Sequence, residues 1–172
     1  RCANLSWLAP LQDGYSRAIP LQWLPASTPK AVAPDEAPHK EWEAGLQAIR
    51  WVRTKLDEAG RGKQLLLVLV DGSYERVVEF WKGLPERTVC LGRSAKNRAL
   101  CELPTYAGFG RPAEYGPLTQ HPAEWLHEQQ GWKTTQVMVR GQYREMRYRL
   151  EGPFVRNGMP HLPVFLVVVR GL

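Results

Sequence analysis

The ten residues LLLVLVDGSY, at positions 65–74, most strongly constrain what this chain can fold into. Six apolar residues follow one another without a polar residue between them and end at Asp71, which precedes Gly72. An unbroken apolar run of this length predicts a strand that is covered on both faces, as in the middle of an α/β sheet. Because the carboxyl ends of strands in such sheets open onto the crevice where ligands bind, Asp71 is expected at a ligand-binding edge.

The residues before this strand predict a hairpin and a helix. Two apolar runs flank Asp13 and Gly14 near the amino end, and this hairpin signal predicts strands over residues 5–8 and 18–24. A loop rich in proline and small residues follows. Apolar residues three and four positions apart then predict one stripe on an amphipathic helix, formed by Trp42, Leu46, Ile49, Val52 and Leu56.

The residues after Asp71 complete an α/β pattern. The segment GSYERVVEFWKGLPE predicts a second helix with inward-facing Val77, Val78 and Trp81. A further strand is predicted over Thr88–Arg93. The order is therefore strand, strand, helix, strand, helix, strand, which predicts a sheet with crossover helices.

Beyond Arg93 the chain becomes dense in Gly and Pro and then rich in predicted strands. Apolar and β-branched runs predict strands over 136–139, 145–150 and 164–169, with a turn at Gly141 between the first two. We interpret residues 1–103 as the α/β part and residues 104–160 as a β-rich insertion. Residues 161–172 would then form a strand that either returns to the first sheet or lies beside it.

The pattern at Asp71 has two interpretations. Asp before Gly-Ser often caps the following helix by accepting hydrogen bonds from its first backbone N–H groups. A carboxylate at a strand end is also a good ligand for Mg²⁺ or Mn²⁺. Two-metal chemistry requires two or three converging carboxylates, which Asp71 cannot supply alone.

Positive charge is concentrated in the second part of the chain, and it indicates either a polyanionic partner or a well-solvated surface. The formal net charge is +6, and residues 61–172 supply all of it. Arg93, Lys96 and Arg98 follow the strand next to the one that ends at Asp71, where they could hold phosphates or form a solvated loop. Four more arginines, interleaved with tyrosines, could follow a DNA backbone or protect a sheet edge; they are Arg140, Arg144, Arg147 and Arg149.

Other residue types exclude several classes of protein. The three cysteines form no CxxC pair, which argues against a zinc ribbon and favours reduced thiols in a cytosol. No apolar stretch approaches the roughly 20 residues of a membrane span, and the amino end lacks a secretory signal pattern. No hydrolase elbow or phosphate-binding loop occurs, and the four histidines lack metal-ligand spacing.

Several segments, in this order, resemble a bacterial insertion-sequence DDE transposase, within the insertion-sequence-4-like and 701-like group of DDE superfamily endonucleases. The segments are DGYSRAIPLQWLPA, EWEAGLQAIRWVRTKL, LLLVLVDGSYERVVEFW, TVCLGRSAKNRAL, GRPAEYG and PVFLVVVRG. The resemblance implies a ribonuclease H-like core in which two Asp and one Glu bind two Mg²⁺ ions and cut and join DNA strands. It places Asp71 as the second Asp of that triad, in a D-G-x-Y context, followed by the β-rich insertion.

Two members of the triad depart from the pattern. No acidic residue precedes Asp13, so the first Asp is expected to be missing. Tyr143, Arg144 and Glu145 are consecutive in a strand-like stretch, which is the wrong spacing for the final Glu, so that residue is expected beyond Leu172. The chain would then be an incomplete ribonuclease H-like core that is inactive alone.

The resemblance also implies partners and a location. DNA, as transposon ends and target, is the expected partner, with no membrane, a homodimer in the full-length protein and a bacterial cytoplasmic, nucleoid-associated location. Two alternatives remain open: a DNA-binding remnant without chemistry, and a small-molecule α/β enzyme that uses Asp71. A steep salt dependence of DNA binding that Asp71 does not influence would favour the first. A deep apolar pocket beside Asp71 would favour the second.

Overall fold

Two compact units make up the part of the chain that the computed structural model describes, namely residues 2–10, 12, 15–27, 37–106 and 108–171. The first unit comprises Arg1–Gln12 and Ser16–Arg93, and the second comprises Asp13–Tyr15 and Ser94–Leu172. Helices and strands are mixed, so the chain is of the α/β class. None of the described helices is both long enough and apolar enough to cross a membrane.

The first unit begins with the predicted pair of strands. Strand β1 (Cys2–Leu8) pairs antiparallel with β2 (Ala18–Pro25), and a register shift between Leu5 and Ser6 interrupts the ladder. Both strands are therefore confirmed; β1 begins three residues earlier than predicted, and β2 ends one residue later. The predicted turn residues Asp13 and Gly14 lie outside the described residues.

Helix α1 (Glu41–Glu58) confirms the predicted amphipathic helix. Acidic Glu41 and Glu43 lie in its first turn, where they complement the helix dipole. The Glu43 carboxylate also accepts a hydrogen bond of 2.8 Å from the backbone N–H of Lys40, which fixes the helix start. The chain leaves the last turn through Gly60, whose φ of +71° favours glycine.

Strands β3 (Leu66–Val70) and β4 (Thr88–Gly92) pair in parallel, as the crossover pattern predicts. Two short helices connect them, α2 (Gly72–Glu75) and α3 (Val78–Lys82), where the sequence predicts one. The extended backbone of Val77, at φ −90° and ψ +104°, separates the two helices. After this break, the Phe80 side chain points into the core. The single-helix pattern did not predict Phe80 as an inward-facing residue.

The core of the first unit joins one side of α1 to one face of β3. Leu46 and Ile49 pack with Val68 and Phe80, and Phe80 is completely buried. The Phe80 ring contacts Tyr74 edge-on, with ring centroids 5.0 Å apart. Cys90 borders this core, and burial raises the pKa of its thiol to about 11, so it behaves as a packing residue.

The prediction that β3 is covered on both faces is wrong for the described residues. Leu66, Val68 and Val70 pack toward the core, but Leu67 and Leu69 are 62% and 53% exposed. The neighbouring Val89 and Leu91 of β4 are exposed as well. An unbroken apolar run is compatible with burial on either or both faces, and α1 covers only one.

The second unit is built around one long strand. Strand β7 (Gln142–Arg156) pairs antiparallel with β5 (Cys101–Glu102), β6 (Lys133–Val139) and β8 (Met159–Gly171). A two-residue turn joins β6 to β7, and Arg140 and Gly141 both have the positive φ that such turns require, +52° and +75°. A 3₁₀ helix (Glu124–His127) and the Trp125 ring cover the buried Phe154.

Two predicted boundaries need correction. The α/β unit ends at Arg93 and not at residue 103, because β5 pairs with the end of β7 through Cys101 and Val155. Residues 161–171 lie in β8, which pairs with β7 and therefore belongs to the sheet of the second unit. Of the two predicted alternatives, return to the first sheet or a strand beside it, the return is not observed in the described residues. Pairing along β7 decides both boundaries.

We expect the Phe80→Ala variant to lose about 3–5 kcal/mol of the free energy of unfolding of the first unit, because it leaves a cavity in a fully buried site. Chemical unfolding followed by far-ultraviolet circular dichroism measures this, since the described α-helices all lie in that unit. Phe109→Ala is the matched control, because Phe109 is 94% exposed and its loss should change stability by less than about 0.5 kcal/mol. Equal effects of the two substitutions would contradict this core.

Candidate functional site

The Asp71 side chain caps a short helix directly after β3. Its Oδ1 accepts hydrogen bonds from the backbone N–H of Ser73, at 2.8 Å, and from the Ser73 hydroxyl, at 2.5 Å. Asp71 has extended backbone angles and is the N-cap of α2. The capping interpretation of the Asp-Gly-Ser pattern is therefore what the structure shows.

The same hydrogen bonds keep Asp71 in its charged form. The Ser73 hydroxyl is the main cause of a lowered Asp71 pKa, and the backbone N–H of Ser73 adds to the effect. The side chain is exposed, so the charge is accessible to solvent or to a ligand. A capping role thus leaves an ionised carboxylate at the carboxyl end of β3.

An open cleft of about 270 Å³ adjoins Asp71 in the first unit. Glu41, at the start of α1, and Tyr74 also line it. Burial raises the pKa of the Tyr74 hydroxyl, and the negative charges of Glu41 and Asp71 raise it further. The cleft therefore combines an apolar interior with two carboxylates and a neutral phenol.

The described residues do not fit a two-ion Mg²⁺ centre by themselves. No group of three or more His, Cys, Asp or Glu side chains converges in the described ranges in a way that could hold a metal ion. Asp71 supplies one carboxylate at the strand end, whereas a two-metal site needs two or three around ions about 3.5–4 Å apart. Any such centre would need carboxylates from elsewhere.

Arg93 leaves the sheet beside Asp71, as the parallel pattern predicts. Val70 and Gly92 are partners in the β3–β4 register, so Asp71 and Arg93 occupy the next positions on neighbouring strands. A Cβ atom on Gly72 would lie 3.4 Å from the Arg93 carbonyl oxygen, which shows how closely the two chain segments pass. The Arg93 side chain is exposed. A cation and an anion therefore share this end of the sheet.

The two other cations predicted beside Arg93 belong to the second unit. Lys96 is exposed, and its carbonyl accepts a hydrogen bond from the backbone N–H of Ala123. Arg98 is partly buried. Their placement relative to Asp71 stays a prediction from the sequence.

The arginines predicted to contact DNA do not share one surface. Arg140 lies in the β6–β7 turn, and Arg144 and Arg147 are exposed in β7. Because side chains alternate along a strand, Arg144 and Arg147 point to opposite faces of the sheet. Arg147 and Arg149 share a face, as the spacing predicts, yet only Arg147 is exposed.

Arg149 forms a buried structural contact and is not part of an exposed basic surface. Its Nε donates to Oε1 of Glu151 at 2.6 Å. Its guanidinium carbon lies 4.8 Å from the ring centre of Trp125 and 5.6 Å from that of Trp132. Pairing and ring stacking neutralise and shield the charge, so the predicted DNA contact of Arg149 is corrected.

Arg170 is a functional candidate that the sequence pattern missed. It lies in β8 directly opposite Arg147, and both side chains are exposed. Like charges directly opposite each other in an antiparallel pair repel, so this pair is suited to an anion between them. The pairing depends on the β7–β8 register, which no short segment of the sequence reveals.

Comparison of the chain with protein-family models, with curated proteins and with solved structures gives no match in any of the three. The contacts and charges of the described residues, together with the resemblance seen in the sequence, are therefore what indicates a function for the chain.

We expect the Ser73→Ala variant to raise the pKa of the Asp71 carboxyl toward its usual range, because the Ser73 hydroxyl is the main cause of the lowering. Titration of the Asp71 side-chain carbon by NMR measures this shift. The stabilising contribution of the Asp71–Ser73 contact is present above the usual Asp pKa and is lost as the pH falls through the lowered value. Ser16→Ala, at an exposed serine whose hydroxyl donates to the Ala9 carbonyl oxygen, is the matched control and should leave the Asp71 pKa unchanged. An unchanged Asp71 pKa in Ser73→Ala would contradict this cause.

Proposed function

We propose that the chain is the central part of an insertion-sequence DDE transposase, in which Asp71 supplies one metal-binding carboxylate and exposed arginines contact DNA. The observation that carries the proposal is the ionised, accessible Asp71 at the carboxyl end of β3, beside Arg93 at the end of the parallel neighbour β4. This is the edge of an α/β sheet at which ligands bind. A phosphate held by Arg93 would lie close to Asp71.

The order of elements in the first unit supports a partial ribonuclease H-like core. Two antiparallel strands precede α1, and β3 and β4 then pair in parallel across the α2–α3 crossover. The second unit, after Arg93, is rich in strands, and under the proposal it contains the β-rich insertion expected over residues 104–160. The assignment to that fold is part of the proposal.

The proposed role of Asp71 is that of one contributed ligand. In two-metal enzymes the ions stabilise both the attacking and the leaving oxygen of the phosphodiester. Because the described residues do not fit such a centre, no catalytic step is assigned to the chain by itself. The remaining carboxylates would come from polypeptide outside the described ranges.

DNA contact is supported by the exposed cations of the second unit. Arg147 and Arg170 face each other across β7 and β8, and Arg140 lies in the β6–β7 turn. A phosphate between Arg147 and Arg170 would relieve their repulsion and accept hydrogen bonds from both. The net charge of +6 adds a general attraction to polyanions.

The two alternatives are supported unequally. The capping role of Asp71 is compatible with a DNA-binding protein without chemistry, because the cap explains the residue fully. A small-molecule enzyme would need a deep pocket, commonly about 300–1,000 Å³. The cleft beside Asp71 is open and has about 270 Å³, below that range, which makes that alternative the weaker one.

We expect the chain to bind duplex DNA with an affinity that falls steeply as salt increases, since phosphate contacts release counterions. Replacing Arg147 and Arg170 together by Ala should reduce the slope of log affinity against log salt by about two, roughly one per phosphate contact. Fluorescence anisotropy over a salt series measures this. The matched control removes two exposed cations of the first unit, Lys63→Ala with Lys82→Ala, and should keep the slope. An equal loss in both double variants would refute a specific role of the Arg147–Arg170 pair.

We expect the chain of residues 1–172 not to nick supercoiled DNA in Mg²⁺, because one carboxylate cannot hold two ions. Gel analysis of plasmid incubated with Mg²⁺ measures nicking, with Asp71→Asn as the matched variant, since Asn also caps helices. Wild-type DNA binding should be strengthened by Mg²⁺, and this gain should vanish in Asp71→Asn. Nicking that Asp71→Asn abolishes would overturn the need for further carboxylates. A response to Mg²⁺ that is identical in both proteins would refute the metal role of Asp71 and leave the DNA-binding alternative.

A further inference from the structure

Helix α2 is too short to keep its position without contacts to the rest of the first unit. It comprises only Gly72–Glu75, and an isolated helix of fewer than about 12 residues is marginal in water. Asp71 is the N-cap of this helix, and both Ser73 donors bind its Oδ1 atom. The direction of the Asp71 carboxylate therefore depends on the contacts that hold α2 in place.

Tyr74 anchors α2 to the core and to α1. Its ring meets the completely buried Phe80 edge-on, with ring centroids 5.0 Å apart and ring planes at 67°. Its hydroxyl donates a hydrogen bond of 3.4 Å to the carbonyl oxygen of Glu41, in the first turn of α1. Because 3.4 Å is beyond the usual range for O–H···O contacts, the ring contributes more to this anchor than the hydroxyl does.

Gly45 of α1 leaves the space that the Tyr74 ring occupies. A Cβ atom on Gly45 would lie 2.7 Å from the ring carbon Cε1, whereas carbon atoms pack at about 3.5–4.0 Å. Glycine destabilises a helix interior relative to alanine, and Gly45 lies inside the helix Glu41–Glu58. The close approach of the Tyr74 ring gives this unfavourable residue a structural reason.

We propose that Tyr74 is the positioning residue of the candidate site: its ring, packed where Gly45 leaves space, fixes α2 and thereby directs the Asp71 carboxylate at the end of β3. Tyr74 acts through Asp71 and is not itself proposed as a ligand. Its importance for metal binding rests on the proposed function, because that function names Asp71 as the ligand. The Asp71–Ser73 cap can be measured whether or not the chain binds a metal ion or DNA.

The main experiment compares Tyr74→Leu with Tyr74→Phe in the full chain of residues 1–172. NMR measures the hydrogen-exchange rate of the Ser73 backbone amide, which donates to Asp71. Tyr74→Leu should raise this rate at least about fivefold, because α2 opens locally when its anchor is lost. Tyr74→Phe keeps the ring and should change the rate less than about twofold, since the hydroxyl contact is long.

A variant at the other end of β3 separates positioning from a general loss of stability. Leu66 is the first residue of β3 and packs against the same core as Tyr74. Leu66→Ala should lower the free energy of unfolding, yet the Ser73 exchange rate should stay within about twofold of wild type, because α2 keeps its anchor. Chemical unfolding followed by circular dichroism shows that each variant folds and measures its stability.

A double variant tests the contact between α1 and the Tyr74 ring. Gly45→Ala should raise the Ser73 exchange rate at least about fivefold, because the new methyl group displaces the ring. In the Tyr74→Leu background the same substitution should add less than about twofold, since the ring is no longer there. Gln47→Ala, at an exposed position of α1, is the matched control and should leave the rate unchanged.

Three results would contradict the positioning role. The first is an unchanged Ser73 exchange rate in a folded Tyr74→Leu variant. The second is an equal acceleration in Leu66→Ala, which indicates general destabilisation. The third is additivity of the Gly45→Ala and Tyr74→Leu effects, which shows that the two residues do not act through one contact.

The proposed function can fail separately from the positioning role. Absence of a Mg²⁺-dependent gain in DNA binding by the wild-type chain would refute the metal role of Asp71, and the Ser73 exchange rates would still decide whether Tyr74 positions the cap. Where the gain is present, Tyr74→Leu should remove it and Tyr74→Phe should keep it. A gain that Tyr74→Leu retains in full would overturn the positioning role.

Discussion

The packing of α1 on β3 and α3 is the interaction on which the first unit depends. Leu46 and Ile49 of α1 meet Val68 and Phe80, and the same helix contacts β1 and β2. Because one helix contacts both strand pairs, it joins the antiparallel pair β1–β2 and the parallel pair β3–β4 into one unit. The position of Asp71 at the end of β3 therefore depends on this apolar contact.

At the end of β3, a local structural role and a proposed chemical role fall on the same carboxylate. Asp71 starts α2 through Ser73, and those hydrogen bonds also keep it ionised. The cap therefore leaves the Asp71 carboxylate charged and able to bind a ligand. It also explains the Asp-Gly-Ser pattern without any ligand. What distinguishes the site is its surroundings: Arg93 leaves the adjacent parallel strand, and Glu41 lies on the same cleft.

In the second unit, the register of β7 decides whether Arg147 and Arg149 are exposed or buried. Arg147 and Arg149 are two residues apart on one face, but Arg149 lies under Trp125 and Trp132 and pairs with Glu151. Arg147 lies beyond that aromatic cover, opposite Arg170. One arginine therefore stabilises the fold, while the other is free to attract an anion. Composition alone cannot separate these roles, because the role of each arginine depends on which ring or charge lies next to its side chain.

The sequence by itself determined the elements whose signals are local. The apolar stripe of α1, the runs of β3 and β4, and the Arg140–Gly141 turn follow from periodicity and backbone preference within a few residues. Only the tertiary structure decided the exposure of Leu67 and Leu69, the pairing of β8 with β7, and the burial of Arg149. These outcomes depend on which distant surface covers a face and on which register two strands adopt. Neither property is encoded within a single segment, because both are set by contacts between residues far apart in the chain.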